Sequence, residues 1–223
     1  MSENEFDRFA GKYDAALVGA MPPAAVEDAY FAEYKVAYMA QALPRAPRRI
    51  LDFGCGTGRS LPWLKKYFPE AQLWGYDLSK VSLQAAHDAC PDATLVSQWD
   101  DLIDVRFDAV LAANVFHHIP PLEQLHALSQ CCRVLEDFGE MFLFEHNPSN
   151  PATRWVFERC PFDVDAKMIG ASAALAMGRQ SGFRRVSLEY TLFFPRPLAF
   201  FRPLERWMRK IPLGAQYCVC MGR

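Results

Sequence analysis

The pattern of hydrophobic and polar positions changes near Pro47, where helical spacing gives way to alternating strands and helices. Residues 1–43 are predicted to form two helices that break at residues 21–23, where a Met-Pro-Pro sequence stands. The apolar positions of the first helix recur at helical spacing: Phe6, Phe9, Tyr13 and Leu17.

After this change, short apolar runs alternate with amphipathic stretches. The predicted strands are 50–53, 72–76, 93–96, 107–112, 140–145, 183–194 and 215–221. The predicted helices are 59–67, 78–89 (begun by the cap Ser79), 122–135 and 166–180. Such alternation indicates an α/β fold with a parallel sheet covered on both faces. The piece between the last two strands is too short for a full crossover, so one of them is expected to run antiparallel.

Length and composition favour one soluble domain. The chain has 223 residues, 51% hydrophobic and 22% charged, with a formal net charge of −2. These values exclude a disordered chain and give no general attraction to nucleic acid. No apolar run is long enough to span a bilayer, and the acidic N-terminus is unlike a secretory signal, so we expect a cytoplasmic protein.

The cysteine pattern points to reduced thiols rather than to a metal site. The seven cysteines are odd in number and contain no C-x-x-C pair. Cys218 and Cys220 are predicted to face the same side of the last strand. We expect no metal.

A glycine loop follows the first strand and opens a helix. Gly54, Gly56 and Gly58 allow close approach of a ligand to the backbone, but Arg59 stands where a dinucleotide-binding loop needs glycine. Asp52 precedes the loop and would repel a pyrophosphate, yet it suits an amino-bearing ligand. Asp77 ends the second strand, where a carboxylate can accept both ribose hydroxyls. The pattern therefore predicts a nucleoside ligand that lacks phosphates and carries an amino group.

Three stretches of the sequence carry a family resemblance: Ile50-Leu-Asp-Phe-Gly-Cys-Gly-Thr-Gly, Gly75-Tyr-Asp-Leu-Ser and Phe107-Asp-Ala-Val-Leu-Ala-Ala-Asn-Val-Phe-His-His-Ile. Together they resemble the class I S-adenosylmethionine-dependent methyltransferases, small-molecule type, and are most similar to the ubiquinone/menaquinone-biosynthesis group. The motif around Phe6, Ala10 and Tyr13 also resembles the lid helix of that group. The resemblance implies a Rossmann-like, doubly wound, mainly parallel seven-stranded sheet with an antiparallel C-terminal strand and an N-terminal helical lid. The whole chain would be one methyltransferase domain, with residues 1–43 as lid, residues 44–223 as core, and insertions at about 147–165 and 195–213.

The resemblance also implies the cofactor, S-adenosylmethionine, with S-adenosylhomocysteine as product. The implied binding residues are Tyr13, Asp52, Gly54, Cys55, Gly56, Asp77, Leu78, Gln98, Trp99 and Asn114. In this set the glycines and Asn114 approach the methionine part, Asp52 supports the amino group, and Asp77 holds the ribose. Near the adenine, Gln98 or Asp100 provides the polar contact and Trp99 packs beside it.

Three histidines lie at the predicted ligand edge and are candidates for a catalytic base. His117 and His118 follow the fourth strand, and His146 ends the fifth. Imidazole has a pKa near neutrality, which suits proton removal from an oxygen or nitrogen acceptor. A structural or substrate-shaping role stays open for each, and their spacing does not favour a metal site.

Two insertions are expected to shape the acceptor site. Arg154, Trp155 and Arg159 either cradle an anionic or planar acceptor or belong to a solvated helix. In 195–213, apolar residues fall at helical spacing: Phe200, Leu204, Trp207, Met208 and Ile211. This stripe either packs on the core as a lid, which is the preferred interpretation, or makes a weak contact with a membrane surface through residues 198–211.

The sequence thus predicts a methyltransferase that acts on a small-molecule or lipid-like acceptor. The alternatives are a catalytically silent adenosylmethionine- or adenosylhomocysteine-binding protein and a membrane-peripheral scaffold protein. No nucleic-acid partner is expected, and the oligomeric state and the atom that is methylated stay open.

Overall fold

The computed structural model describes residues 28–160 and 166–223. Its helices are α1 (Asp28–Ala42), α2 (Leu61–Tyr67), α3 (Lys80–Ala89), α4 (Pro121–Val134), α5 (Pro151–Phe157), α6 (Ala171–Gln180) and α7 (Glu205–Met208). Its strands are β1 (Arg49–Phe53), β2 (Gln72–Tyr76), β3 (Thr94–Val96), β4 (Phe107–Ala113), β5 (Leu135–His146), β6 (Arg185–Thr191) and β7 (Gln216–Gly222). Short 3-10 helices cover Trp99–Leu102, Phe116–His118 and Arg196–Leu204. The predicted residues Phe6, Phe9, Tyr13 and Leu17 lie outside the described residues.

All seven strands form one sheet in the order β3-β2-β1-β4-β5-β7-β6. The first five strands pair in parallel, whereas β7 lies antiparallel between β5 and β6. The strand β6 therefore runs in the same direction as β1 to β5. This arrangement confirms the doubly wound, mainly parallel sheet with an antiparallel C-terminal strand, and it places the chain after β6 at the same edge as the glycine loop.

The strands are buried because alternate side chains enter two different apolar layers. On one face, α4 and α6 cover residues such as Leu51, Val110 and Leu143. On the other face, α1, α2 and α3 cover residues such as Ile50 and Phe142. The helix α1 is thus a layer of the core, since Val36, Tyr38 and Met39 are all buried on the sheet.

Local sequence signals mark several element boundaries. Ser79 caps α3 by accepting a hydrogen bond from the backbone N–H of Ser82 at 3.1 Å, as predicted. Asn150 caps α5 in the same way through Ala152 and Thr153. Within the described part of the chain, no helix is both long and apolar enough to cross a membrane.

The segment 195–213 differs from the prediction in two ways. It is a 3-10 helix, Arg196–Leu204, followed by the four-residue helix α7, because Pro203 and a non-helical Leu198 interrupt any longer helix. Four of the five residues of its predicted apolar stripe are exposed: Phe200, Leu204, Trp207 and Ile211. Met208 is half-buried, whereas Glu205 is buried. The expectation that this stripe packs on the core is therefore wrong, and polar contacts, described below, hold the segment instead.

Candidate active site

The glycine loop is held at the carboxyl ends of β1 and β2 by backbone hydrogen bonds. The N–H groups of Gly54 and Cys55 both donate to the carbonyl of Tyr76, at 2.8 and 3.0 Å. Gly54, Gly56 and Gly58 have φ values of 70°, 51° and 79°, which glycine adopts without the strain that a Cβ would cause. The loop is thus folded tightly against the neighbouring strand.

The three glycines have different surroundings. A Cβ at Gly54 would collide with Cγ2 of Val115, and one at Gly58 would lie 2.7 Å from the backbone of Ala86. A Cβ at Gly56 would meet nothing within 4 Å. Gly54 and Gly58 therefore serve the packing of the fold, while Gly56 borders open space at the ligand edge.

Asp77 connects the end of β2 to the glycine loop. Its Oδ2 accepts from the backbone N–H of Gly56 at 2.8 Å, and its Oδ1 accepts from the N–H of Ser79 at 2.9 Å. An ionised carboxylate has about four acceptor sites and can take more than one donor on each oxygen. The half-buried side chain of Asp77 suits the predicted ribose contact.

Two buried oxygens at this edge have no hydrogen-bond partner among the described residues: Oδ2 of Asp52 and Oδ1 of Asn114. Asn114 also has a positive φ of 56°, a strained conformation that asparagine tolerates better than most residues. A buried acceptor without a donor is unfavourable, so both atoms fit a ligand that supplies N–H groups. This observation agrees with the amino group of the implied cofactor.

Lys35, a residue that the sequence analysis missed, lies near Asp52. It is buried on α1, and burial lowers its pKa to about 8, although attraction to Glu145 and Asp52 opposes this fall. Burial also raises the pKa of Asp52 to about 7; repulsion from Asp77 adds to the rise and Lys35 opposes it. In the sequence, Lys35 stands three residues before Tyr38 and four residues before Met39. This spacing places it on the apolar face of α1 and was the available signal.

The remaining predicted cofactor residues follow the ends of β1, β2 and β3. The side chain of Cys55 is buried, so this residue offers its backbone to the loop edge. Leu78 and Gln98 are exposed. The ring of Trp99 packs on Phe53 and Tyr76, with ring centroids 5.9 and 5.4 Å apart. Tyr13 lies outside the described residues.

The three predicted histidines form one cluster beyond β4 and β5. The ring centroid of His117 lies 4.1 Å from that of His118 and 5.2 Å from that of His146. The ring of Phe157, on α5, packs on His117 and His146 at 5.6 Å. His117 is buried, whereas His118 and His146 are half-buried.

Glu145 is the second residue whose role the sequence analysis missed. Its Oε2 lies 2.6 Å from Nδ1 of His117, and its Oε1 accepts from the N–H of Phe116 at 2.8 Å. Burial opposes ionisation of Glu145, but the charge of His117, their hydrogen bond and the charge of His146 hold its pKa below the usual value. The ionised carboxylate therefore orients the imidazole. A glutamate at the end of a buried strand, next to a predicted histidine, was the available signal.

Other candidates do not join this cluster. Trp155 is exposed, with the guanidinium of Arg159 4.3 Å from its ring centroid. Arg154 and Glu158 form a surface ion pair along α5. Among residues 28–160 and 166–223, no three His, Cys, Asp or Glu side chains are arranged to hold a metal ion.

Comparisons with known proteins agree with this geometry. A family profile described as a methyltransferase domain matches residues 50–139. A trans-aconitate 2-methyltransferase of Yersinia pseudotuberculosis is 41% identical over 181 residues, covering 74% of this chain and 67% of that protein. The chain belongs to the class I S-adenosylmethionine-dependent methyltransferases.

Two further similarities concern a second relative and the fold. A demethylmenaquinone methyltransferase of Deinococcus radiodurans is 28% identical over 171 residues, covering 74% of this chain and 68% of that protein. The crystal structure of an S-adenosylmethionine-dependent methyltransferase from Archaeoglobus fulgidus superimposes with a TM-score of 0.68 at 16% identity, covering 87% of this chain and 94% of that one. Together with the family profile, these similarities confirm the family resemblance of the three sequence motifs and the enzyme class.

Proposed function

We propose that this methyltransferase transfers a methyl group to a small-molecule acceptor at the edge formed by β1, β2, β4 and β5. When bound there, S-adenosylmethionine supplies a methyl group on a positively charged sulfur. The unpartnered oxygens of Asp52 and Asn114, together with the open space at Gly56, support this location. The relatives named for demethylmenaquinone and trans-aconitate both act, by their names, on small molecules.

We assign the α-amino and α-carboxylate groups of the cofactor to side chains of opposite charge. Asp52 and Asn114 accept hydrogen bonds from the α-amino group, and Lys35 pairs with the α-carboxylate. The buried carboxyl of Asp52 and the buried ammonium of Lys35 are complementary in charge to the zwitterionic end of an amino acid. Contacts with this end would offset the solvation energy that both side chains lost on burial. Asp77 accepts hydrogen bonds from the ribose, and Leu78, Gln98 and Trp99 border the adenine.

The contact between His117 and Glu145 carries the proposal for catalysis. A carboxylate accepts but does not donate, so the proton of the 2.6 Å contact lies on Nδ1 of His117. In the neutral form of His117 the lone pair is therefore on Nε2. In this form Nε2 takes a proton from the acceptor as the nucleophilic atom of the acceptor receives the methyl group. Glu145 is a positioning residue, and His118 and His146 stack around the ring and shape the acceptor site.

Calorimetry followed by turnover tests this function. Wild-type protein is titrated with S-adenosylhomocysteine and then incubated with a methyl-labelled donor and, separately, demethylmenaquinone, trans-aconitate and a small-molecule cell extract. We expect donor binding and label in a small-molecule product. Binding without transfer to any small-molecule fraction would instead favour the catalytically silent binding protein, and label in a macromolecular fraction would also contradict the proposal.

A further inference from the structure

We term residues 195–213 the interfacial segment. Its acidic residue, Glu205, points into the protein. Glu205 is 3% exposed, and its Oε1 accepts from the N–H groups of Phe193 and Phe194, both at 3.0 Å. Two carboxylate hydrogen bonds therefore attach α7 to the chain that leaves β6. The acidic group of this segment does not reach the outer surface.

Two of its arginines also face the protein. Arg202 lies 3.6 Å from the ring centroid of Tyr30, and its Nε donates to the carbonyl of Phe194. Arg209 donates to Oε2 of Glu189 at 3.2 Å and lies over the ring of Tyr38 at 4.7 Å. These contacts tie the interfacial segment to α1 and β6 through polar groups rather than through an apolar stripe.

The apolar side chains consequently point outward. Phe200 and Trp207 are 71% and 65% exposed. The exposed large apolar residues of the segment are Leu198, Phe200, Phe201, Leu204, Trp207, Ile211 and Leu213. Single exposed apolar residues are ordinary, but seven within one short segment mark an interaction surface.

The charge on the exposed side of the interfacial segment indicates the kind of partner that it binds. The interfacial segment contains five basic residues and one acid. The acid, Glu205, is buried, and two of the basic residues, Arg202 and Arg209, face the protein. Arg206 is exposed between the apolar side chains. Lys210 is also exposed, although its Nζ donates to the carbonyl of Leu188 at 3.1 Å and lies 3.4 Å from Oε1 of Glu189. Mixed aromatic and basic side chains are typical of segments that lie at the headgroup level of an anionic bilayer, where rings enter the acyl boundary and cations meet phosphate. We propose that the interfacial segment docks this protein on an anionic lipid surface.

Docking through this segment orients the candidate active site. The segment leaves the carboxyl end of β6 and is tied to the loop after β5: Nδ2 of Asn150 donates to the carbonyl of Leu213 at 2.7 Å, and Nδ2 of Asn147 donates to that of Pro212 at 3.2 Å. That loop directly follows His146. The lipid surface would therefore adjoin the edge of the sheet where the acceptor is expected, so an acceptor dissolved in the bilayer would reach it directly.

Vesicle co-sedimentation of the full chain tests the docking surface without any use of methyl transfer. The probes are vesicles of phosphatidylcholine alone and vesicles with about 30 mol% phosphatidylglycerol. The variants are Phe200→Ser with Trp207→Ser, and Arg206→Gln with Lys210→Gln. Phe138→Ser is the matched control, because Phe138 is 74% exposed but lies towards the amino end of β5, away from the site.

We expect wild type and Phe138→Ser to sediment with the anionic vesicles, and each double variant to lose about tenfold in apparent affinity. Binding to phosphatidylcholine alone should be weaker. Absence of wild-type sedimentation, or an equal loss in Phe138→Ser, would overturn the proposal. A concentration-dependent dimer that Phe200→Ser with Trp207→Ser abolishes, without vesicle binding, would assign the surface to a second copy and also overturn it. Donor binding by calorimetry, which we expect to be equal in all variants, shows that a loss of vesicle binding does not come from misfolding. Because the vesicle assay uses no methyl transfer, failure of the proposed catalytic function leaves its result unchanged.

Discussion

Nδ1 of His117 lies 2.6 Å from Oε2 of Glu145, and both side chains are buried. The two residues belong to different elements, the 3-10 helix after β4 and the end of β5, which are 28 residues apart in the chain. Oε1 of the same carboxylate accepts from the N–H of Phe116. Glu145 therefore determines both the position of the loop and the orientation of the imidazole.

Replacement of His117 by alanine should slow methyl transfer by about 10²–10⁴-fold, the usual contribution of a general base, while donor affinity changes little. His126→Ala is the control, since His126 is exposed on α4. The measurements are single-turnover rates and calorimetry with S-adenosylhomocysteine. An unchanged rate with an accepted substrate would remove His117 as the base.

The pair should also contribute a pH-dependent part of stability. Because the folded-state pKa of Glu145 is lowered, its ionisation stabilises the fold above the unfolded value of 4.5, and this stabilisation is lost as pH falls below 4.5. The difference in unfolding temperature between wild type and Glu145→Gln should therefore narrow on acidification through this range. Glu123→Gln, at an exposed position, should show no such trend. A difference that is constant with pH would contradict an ionised Glu145 in the folded protein.

Asp77→Ala should weaken donor binding by about 10–100-fold, because hydrogen bonds to a charged group contribute roughly 1.5–3 kcal/mol. It also frees the N–H groups of Gly56 and Ser79, so the loop should lose order and the protein some stability. Calorimetry and thermal unfolding measure the two effects, with the exposed Asp137→Ala as control. A change in affinity below about threefold would disprove the ribose assignment.

Two glycine substitutions should distinguish a glycine that borders the ligand from one that is needed for packing. Gly56→Ala adds a methyl group to open space, so it should lower donor affinity at a stability cost of about 1–2 kcal/mol for the positive φ. Gly54→Ala collides with Val115 and should cost about 1–3 kcal/mol more than that. Chemical denaturation and calorimetry compare the two. Equal effects of both variants on stability would show that the space at Gly56 is not open.

Lys35→Met should stabilise the protein but weaken donor binding. The folded-state pKa of Lys35 is lowered from 10.5 to about 8, so its charge destabilises the fold at every pH below about 8, and this cost disappears above 10.5. At neutral pH its removal should raise the free energy of unfolding, and the lost attraction to Asp52 and Glu145 offsets part of this gain. Chemical denaturation at pH 7 and pH 10.5 measures the change in the free energy of unfolding, which should be a gain at pH 7 that disappears at pH 10.5. The exposed Lys65→Met is the control. Unchanged donor affinity in Lys35→Met would remove its proposed contact with the carboxylate.

Local and periodic features of the sequence determined much of this protein. The alternation of apolar runs predicted the strands and their parallel pairing, since buried strands and covering helices have different periods. The glycine loop with Asp52 and Asp77 identified the family. Positive φ values and a carboxylate at the end of a strand are each encoded by a few consecutive residues, so they can be recognised without knowledge of the tertiary structure. The cap at Ser79 was equally local.

Contacts between distant segments were decided only by the tertiary structure. The pairing of His117 with Glu145 depends on β4 lying beside β5, and the burial of Lys35 near Asp52 depends on α1 covering β1. Helical spacing in 195–213 suggested an apolar face on the core, but Pro203 prevents one continuous helix and the anchors of Glu205 and Arg209 lie on β6 and the residues after it. Which side of a segment is buried depends on its partners, and partners far apart in the chain leave no periodic signal in the sequence.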